Sequence, residues 1–321
     1  MPSLNIKTMI IYCHANLDEA LRNRLLEALS PKYTIHFQSD AQSKNEAQHL
    51  FHEADYILGN PPLEWFSEPL NNLKFWQLDS AGFDQYASVR LNGQTRAANM
   101  GDWFARPCAE SIIGGVLALY RGLDKLTLLK EKSEWIGTPL RAELRLLSGQ
   151  EVVVLGAGTI GKTVQLLLQG FGCTIHMMAR TSPDADIHSK EELLNILPNT
   201  DLVINTLPGS ASHFADQQVF EAMKQGSIYA SVGRGSTTDE KALIDALNAG
   251  HLDGAVLDVT EIEPLPTDSP LWKMDHVILS QHTGGGHANE HVGKVDLFLN
   301  NMIAIESGGT PINEINLAKG Y

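Results

Sequence analysis

Residues 151–169 constrain the fold of this chain more than any other segment. Glu151-Val152-Val153-Val154-Leu155 is an apolar run that suits a strand buried on both faces. Gly156-Ala157-Gly158-Thr159-Ile160-Gly161-Lys162-Thr163 follows at once, and a helical pattern covers Ile160–Gln169. Strand, glycine-rich turn and helix in that order open a βαβ unit whose helix N-terminus can hold phosphate. The turn fits two patterns: G-x-G-x-x-G, which binds dinucleotides, and G-x-x-x-x-G-K-[ST], which binds nucleoside triphosphates. In the first reading Gly156, Gly158, Thr159, Ile160 and Gly161 form the pyrophosphate cradle. Two features favour that reading. Ile160 is apolar, as the first turn of a helix packed on a sheet requires. The later strand Asp201–Thr206 does not end in an Asp that could hold magnesium.

Strand signals recur at Cys173–Met178, Asp201–Thr206, Ser227–Val232, Gly254–Leu257 and His276–Leu279. Helical patterns lie between most of them, at Lys190–Ile196, Ala215–Met223 and Glu240–Asn248. Alternation of this kind predicts a parallel doubly wound sheet. A smaller block precedes it, with strand runs at Met9–Cys13, Tyr33–Phe37, Tyr56–Leu58 and Phe75–Leu78. Its one clear helical pattern carries Leu17, Leu21, Leu25, Leu26 and Leu29 and stops at Pro31. A long helical stretch over about Phe104 to Leu123 reads as a helix crossing between domains. The Lys/Glu-rich segment after it, with Trp135 and Pro139, reads as an extended arm, packed on a second subunit or lying as a surface loop. A last helix, about Ala288 to Ile305, returns to the first domain. The expected division is 1–99 plus 288–321 for a substrate-binding domain and 100–287 for a dinucleotide-binding domain.

Composition narrows the function classes. The chain has 321 residues, 43% hydrophobic and 19% charged, enough to bury two cores. Lys plus Arg is 24 against 38 Asp plus Glu, a formal net charge of -14. Such a surface repels phosphate backbones and anionic lipid, so neither a nucleic-acid nor a membrane partner is expected. Cys13, Cys108 and Cys173 are scattered, with no CxxC pair, so neither a disulfide framework nor a cysteine-based zinc site is indicated. His287, Glu290 and His291 have helical spacing but not the H-E-x-x-H order, and they read as a solvated helix face with no metal. The N-terminal residues show no signal-peptide cleavage pattern, which points to a cytoplasmic protein.

The end of the second strand of the nucleotide unit discriminates between cofactors. NAD sites carry Asp or Glu roughly 20 residues past the glycine turn, on the ribose hydroxyls. Here Ala179 takes that place, followed by Arg180, Thr181 and Ser182. Loss of the acid relieves repulsion of a 2′-phosphate, Arg180 can pair with it, and two hydroxyls add donors. NADP(H) is therefore favoured, with NAD(H) as the alternative. Three further motifs follow strands: Ser231-Val232-Gly233-Arg234-Gly235, Asp258-Val259-Thr260-Glu261-Ile262-Glu263-Pro264-Leu265-Pro266, and Ser280-Gln281-His282-Thr283-Gly284. Ligands in open α/β sheets bind beyond the carboxyl ends of strands, so an Arg, a Glu and a His placed there point to chemistry.

Together with the Ser80-Ala81-Gly82-Phe83-Asp84 loop and the Met223–Gly226 run, these motifs resemble the D-isomer-specific 2-hydroxyacid dehydrogenases, in order and spacing, over nearly the whole chain. Within that family the Ala179-Arg180 pair is similar to the NADPH-dependent glyoxylate/hydroxypyruvate reductases. The resemblance implies two Rossmann-like or flavodoxin-like α/β domains with parallel doubly wound sheets, an active-site cleft between them, and a homodimer. It implies that Arg234 clamps the 2-oxo acid, His282 is the general acid, and Glu263 orients the imidazole. Glu263 is preferred to Glu261 because the family places the acid directly before Pro. The amides of Ala81 and Gly82 would take the substrate carboxylate. Leu207, Pro208, Val232, Gly233, Asp258, His282 and Gly284 would contact the cofactor, Asp258 facing the nicotinamide end, with a capping or structural role open for it. Gln281 departs from the Pro that many members carry before the His. Trp135 is left between the substrate mouth and the dimer arm. The other functional reading is a dinucleotide-sensing, corepressor-like binding protein.

Overall fold

The computed structural model describes residues 8–319 and divides the chain into two compact units, one running to Trp103 and resuming at His287, the other spanning Phe104–Gly286. In the first unit the chain runs β1 (Met9–Cys13), α1 (Glu19–Leu29), β2 (Tyr33–Phe37), α2 (Lys44–His52), β3 (Tyr56–Leu58), β4 (Phe75–Gln77) and β5 (Arg96–Ala98). The Asp18 side chain caps α1 by accepting from the Leu21 amide, and Leu21, Leu25 and Leu29 form its buried face. Leu26 falls off that face and is exposed. Helix α2 went unpredicted although Ser43 and Glu46 make a capping box: Ser43 accepts from the Glu46 amide, and Glu46 accepts from Gln42 at 2.7 Å.

The second unit runs α3 (Ala105–Tyr120), α4 (Leu123–Glu131), α5 (Thr138–Arg141), β6 (Glu151–Leu155), α6 (Thr159–Gln169), β7 (Thr174–Met178) and α7 (Lys190–Ile196). It continues through β8 (Leu202–Asn205), α8 (Gln217–Ala222), β9 (Ser227–Ser231), α9 (Glu240–Asn248), β10 (Leu252–Leu257) and β11 (Val277–Leu279). The chain then returns to the first unit with α10 (Glu290–Glu306) and β12 (Glu314–Ile315). The expected extended arm is helical in part, over α4 and α5, and irregular around Trp135. Gly122, in the left-handed region at φ 62°, ends α3, and the Leu- and Lys-rich residues after it, strong helix formers, wind into α4.

The first sheet has the order β12-β5-β4-β3-β1-β2 and is parallel except for β12, which pairs antiparallel with β5. That antiparallel edge was not foreseen. The second sheet, β11-β10-β9-β8-β6-β7, is parallel throughout. Both sheets reverse direction of growth between their first and third strands, which opens a crevice at the carboxyl ends there. In the second sheet that switch point falls between β6 and β8, where Val152–Leu155 and Leu202–Ile204 are fully buried. Helices α3 and α6 cover one face through Ile112, Val116, Val164 and Leu168; α8 and α9 cover the other through Val219, Phe220, Leu243 and Leu247. In the first unit, α10 inserts Val295, Phe298 and Met302 into the core around Ile11, Leu25 and Phe75. Among the described residues no helix is long and apolar enough to cross a membrane.

Candidate active site

The glycine-rich turn connects β6 to α6. A methyl on Gly161 would lie 2.0 Å from the Gly156 carbonyl oxygen, so only glycine lets the helix approach the strand this closely. A methyl on Gly158 would meet nothing within 4 Å, so the turn is open where a phosphate would sit. Gly158 is also the N-cap of α6 and supplies no side-chain acceptor, leaving the first helix amides to an outside anion. Lys162, which a triphosphate loop would aim at phosphate, instead pairs with Asp184 at 2.6 Å. These residues therefore fit a dinucleotide pyrophosphate. Past β7, Arg180 is exposed, and Thr181 and Ser182 follow it.

The turn after β8 and the turn after β9 press together. A methyl on Gly233 would lie 2.5 Å from the Leu207 carbonyl oxygen, so Leu207-Pro208 and Val232-Gly233 form one continuous wall. Arg234 is half-buried, and its Nη1 donates to the Gly233 carbonyl at 3.0 Å. The next residue, Gly235, packs against the Thr260 carbonyl, which joins the Arg234 turn to the loop after β10.

That loop carries Glu263, whose Oε2 lies 2.7 Å from His282 Nδ1. A carboxylate only accepts, so Nδ1 carries the proton, and Nε2 is the nitrogen left for other partners. The second oxygen, Oε1, accepts from the Thr260 amide at 3.1 Å, so the carboxylate is fixed at both ends. Glu261 turns the other way. It pairs with His213 at 2.7 Å, and its amide donates to Glu240 at 3.1 Å. Burial holds the Glu240 carboxyl above its ordinary value. His213 and Glu240 brace the loop, and nothing local in the sequence marks them for it.

Asp258 is buried at 4% exposure and organises the turn that bears His282. Its Oδ1 accepts from Ser280 Oγ at 2.6 Å and from the Gly284 amide at 2.9 Å, while its carbonyl accepts from the His282 amide at 2.6 Å. The geometry thus gives Asp258 a structural task. Beside the His282–Glu263 pair lies a cavity of about 390 Å³, walled by Leu257, Leu265, Trp272 and Leu279.

Ala81 and Gly82 stand on the first unit, after β4. Asn99 donates to the Ala81 carbonyl at 2.5 Å and Ser80 to the Gly82 carbonyl at 2.6 Å. His287 lies against the Trp103 ring, and Glu290 pairs with Lys294. Burial pushes the thiols of Cys13 and Cys108 up to about 12, which removes them as nucleophiles at neutral pH. Trp135 is 97% exposed.

Comparison with known proteins now decides the family. The model of the D-isomer-specific 2-hydroxyacid dehydrogenase NAD-binding domain matches residues 113–284, more than half of the chain. The chain belongs to that family. It is an oxidoreductase with a nicotinamide dinucleotide cofactor. Over 243 residues it is 29% identical to glyoxylate/hydroxypyruvate reductase A of Arabidopsis thaliana, spanning 74% of this chain and 77% of that one. A solved family member from Aeromonas salmonicida is 26% identical, with a TM-score of 0.79 and coverage of 97% and 99%. Another, from Xanthobacter autotrophicus in complex with NADPH and MES, is 23% identical, with a TM-score of 0.78 and coverage of 98% and 100%.

Gln281 and His282 both sit in the left-handed region, at φ 54° and 57°. Proline, fixed near φ −65°, could not occupy position 281 in this turn. Gln281→Gly should leave activity intact and raise stability by about 1 kcal/mol, because glycine adopts positive φ without strain. Gln281→Pro should lower the melting temperature and abolish turnover. Thermal unfolding and initial rates of the two variants check this.

Proposed function

We propose that this enzyme reduces a small 2-oxo acid to the D-2-hydroxy acid with NADP(H), glyoxylate and hydroxypyruvate being the favoured substrates. The observation that carries the reading is the 2.7 Å contact between His282 Nδ1 and Glu263 Oε2 at the carboxyl ends of the second sheet. The bound dinucleotide supplies the hydride that reduces the carbonyl carbon. Arg234 binds the substrate carboxylate and polarises the carbonyl oxygen. His282 gives the Nε2 proton to the developing alkoxide, and takes it back in oxidation. Glu263 keeps a proton on Nδ1 and stabilises the imidazolium from which the Nε2 proton is given, leaving the neutral ring. On the first unit, the backbone amides of Ala81 and Gly82 form a carboxylate-binding turn. Its carbonyls are already engaged, and among the described residues neither amide donates elsewhere.

The cofactor preference rests on Ala179 and Arg180. No acid stands at the end of β7 to repel a 2′-phosphate, and the exposed Arg180 guanidinium has no ion-pair partner among the described residues. We also infer a homodimer formed through residues 123–146. There Leu126, Leu128, Trp135, Ile136 and Leu146 expose apolar surface that a second copy would cover.

Initial rates at 340 nm, crossing NADPH and NADH with glyoxylate, hydroxypyruvate, pyruvate and phenylpyruvate, test the function. Fast NADPH-dependent reduction of the two small polar acids is expected, and His282→Ala should lower kcat at least about a hundredfold while NADPH still binds. Tight NADPH binding with no turnover of any acid would favour the sensing role instead. Arg180→Ala should cut kcat/KM for NADPH roughly tenfold or more and leave that for NADH nearly unchanged, the scale of one charge-assisted hydrogen bond. Sedimentation at micromolar concentration should give twice the chain mass; a monomer refutes the dimer.

A further inference from the structure

We propose that Asn205, Tyr229 and Thr237 are positioning residues for Arg234, acting through a buried chain of hydrogen bonds at the carboxyl edge of the second sheet. The inference rests on the substrate-binding role proposed for Arg234.

The connection can be followed atom by atom. Asn205 ends β8, and its Oδ1 accepts from the Leu207 amide at 3.0 Å. That contact fixes which end of the side chain is the amide nitrogen. Nδ2 then donates one proton to the Tyr229 hydroxyl at 2.8 Å and the other to Thr237 Oγ1 at 2.7 Å. Having accepted from Asn205, Thr237 spends its own proton on the Arg234 carbonyl at 2.6 Å, which also accepts from the Thr237 amide at 3.0 Å. The Tyr229 hydroxyl also shares a hydrogen bond with Thr238 Oγ1 at 2.7 Å. The donor directions from Asn205 through Thr237 to Arg234 follow from the two protons of one amide.

Asn205, Tyr229 and Thr237 are all at 0% exposure. Buried polar atoms carry a desolvation cost that apolar neighbours such as Ile204 and Ala230 avoid, and here hydrogen bonds offset it. What they fix is the turn. Arg234's carbonyl is held by two donors from Thr237, and Thr237 is tied to the strand through Asn205. Asn205 holds the Leu207 amide as well, so one side chain sets both the Arg234 turn and the wall beside it.

The test uses the full-length enzyme with Thr237→Val, Thr237→Ser, Tyr229→Phe and Asn205→Ala. The readouts are kcat and KM for the 2-oxo acid, dinucleotide Kd by fluorescence, and melting temperature. Thr237→Val and Tyr229→Phe should raise KM for the acid roughly tenfold, the scale of one lost hydrogen bond, with dinucleotide Kd within about twofold. Thr237→Ser should retain wild-type KM, since it keeps the hydroxyl. Asn205→Ala should weaken both acid and dinucleotide. In an Arg234→Lys background, Thr237→Val should add less than about twofold. A lower melting temperature with unchanged KM, or effects that simply multiply in the Arg234→Lys background, would overturn the proposal. If Thr237→Val does not fold, the near-isosteric Tyr229→Phe decides. A wild type that turns over no 2-oxo acid refutes the role of Arg234, and this inference with it; an active wild type with unaffected variants refutes the inference alone.

Discussion

A sheet whose strands all run the same way cannot be closed by hairpins. Each return must cross over a face, and both faces must be covered by helices. The second unit meets that constraint with α3 and α6 on one side of β6–β11 and α8 and α9 on the other. The consequence is chemical. Every strand delivers its carboxyl end to the same edge, so the glycine turn, Leu207-Pro208, Arg234, Glu263 and His282 collect there although they span residues 156–282. The hydrophobic interior that holds the sheet together is also what convenes the site.

At that edge, placement is maintained by groups that do no chemistry themselves. Asp258 spends its carboxylate on the 280–284 turn, and Thr260 immobilises the oxygen of Glu263 that does not face His282. Glu261, two residues from Glu263, is diverted to His213. Two histidine–carboxylate pairs thus share one loop. One is set where strands end; the other braces the loop from outside.

Much of this was legible in the sequence because it is local. The run Glu151–Leu155, the turn at 156–163 and the helices Lys190–Ile196 and Glu240–Asn248 carry their signals in consecutive residues. The motifs around Arg234, Glu263 and His282 were legible through resemblance. What escaped depends on distant partners or weak composition. Strand β5 is Arg96-Ala97-Ala98, with no β-branched residue, and it becomes a strand by pairing with β4 and β12. Asn205 looks like any polar residue at a strand end until Tyr229 and Thr237 are brought beside it. Helix α2 was missed for another reason: its capping box was there to read at Ser43 and Glu46, but its apolar stripe is only Ala47 and Phe51 deep.

The return of α10 to the first unit bears on how the protein is made. The first stretch of this unit leaves the ribosome before the second unit, yet Val295, Phe298 and Met302, which fill its core, are translated only after the second unit. The second unit is contiguous and has no such wait. During synthesis the apolar surface around Ile11, Leu25 and Phe75 therefore stays uncovered while more than half of the chain emerges. Of the two units, the one begun first is completed second, and in that interval its uncovered apolar surface is open to aggregation.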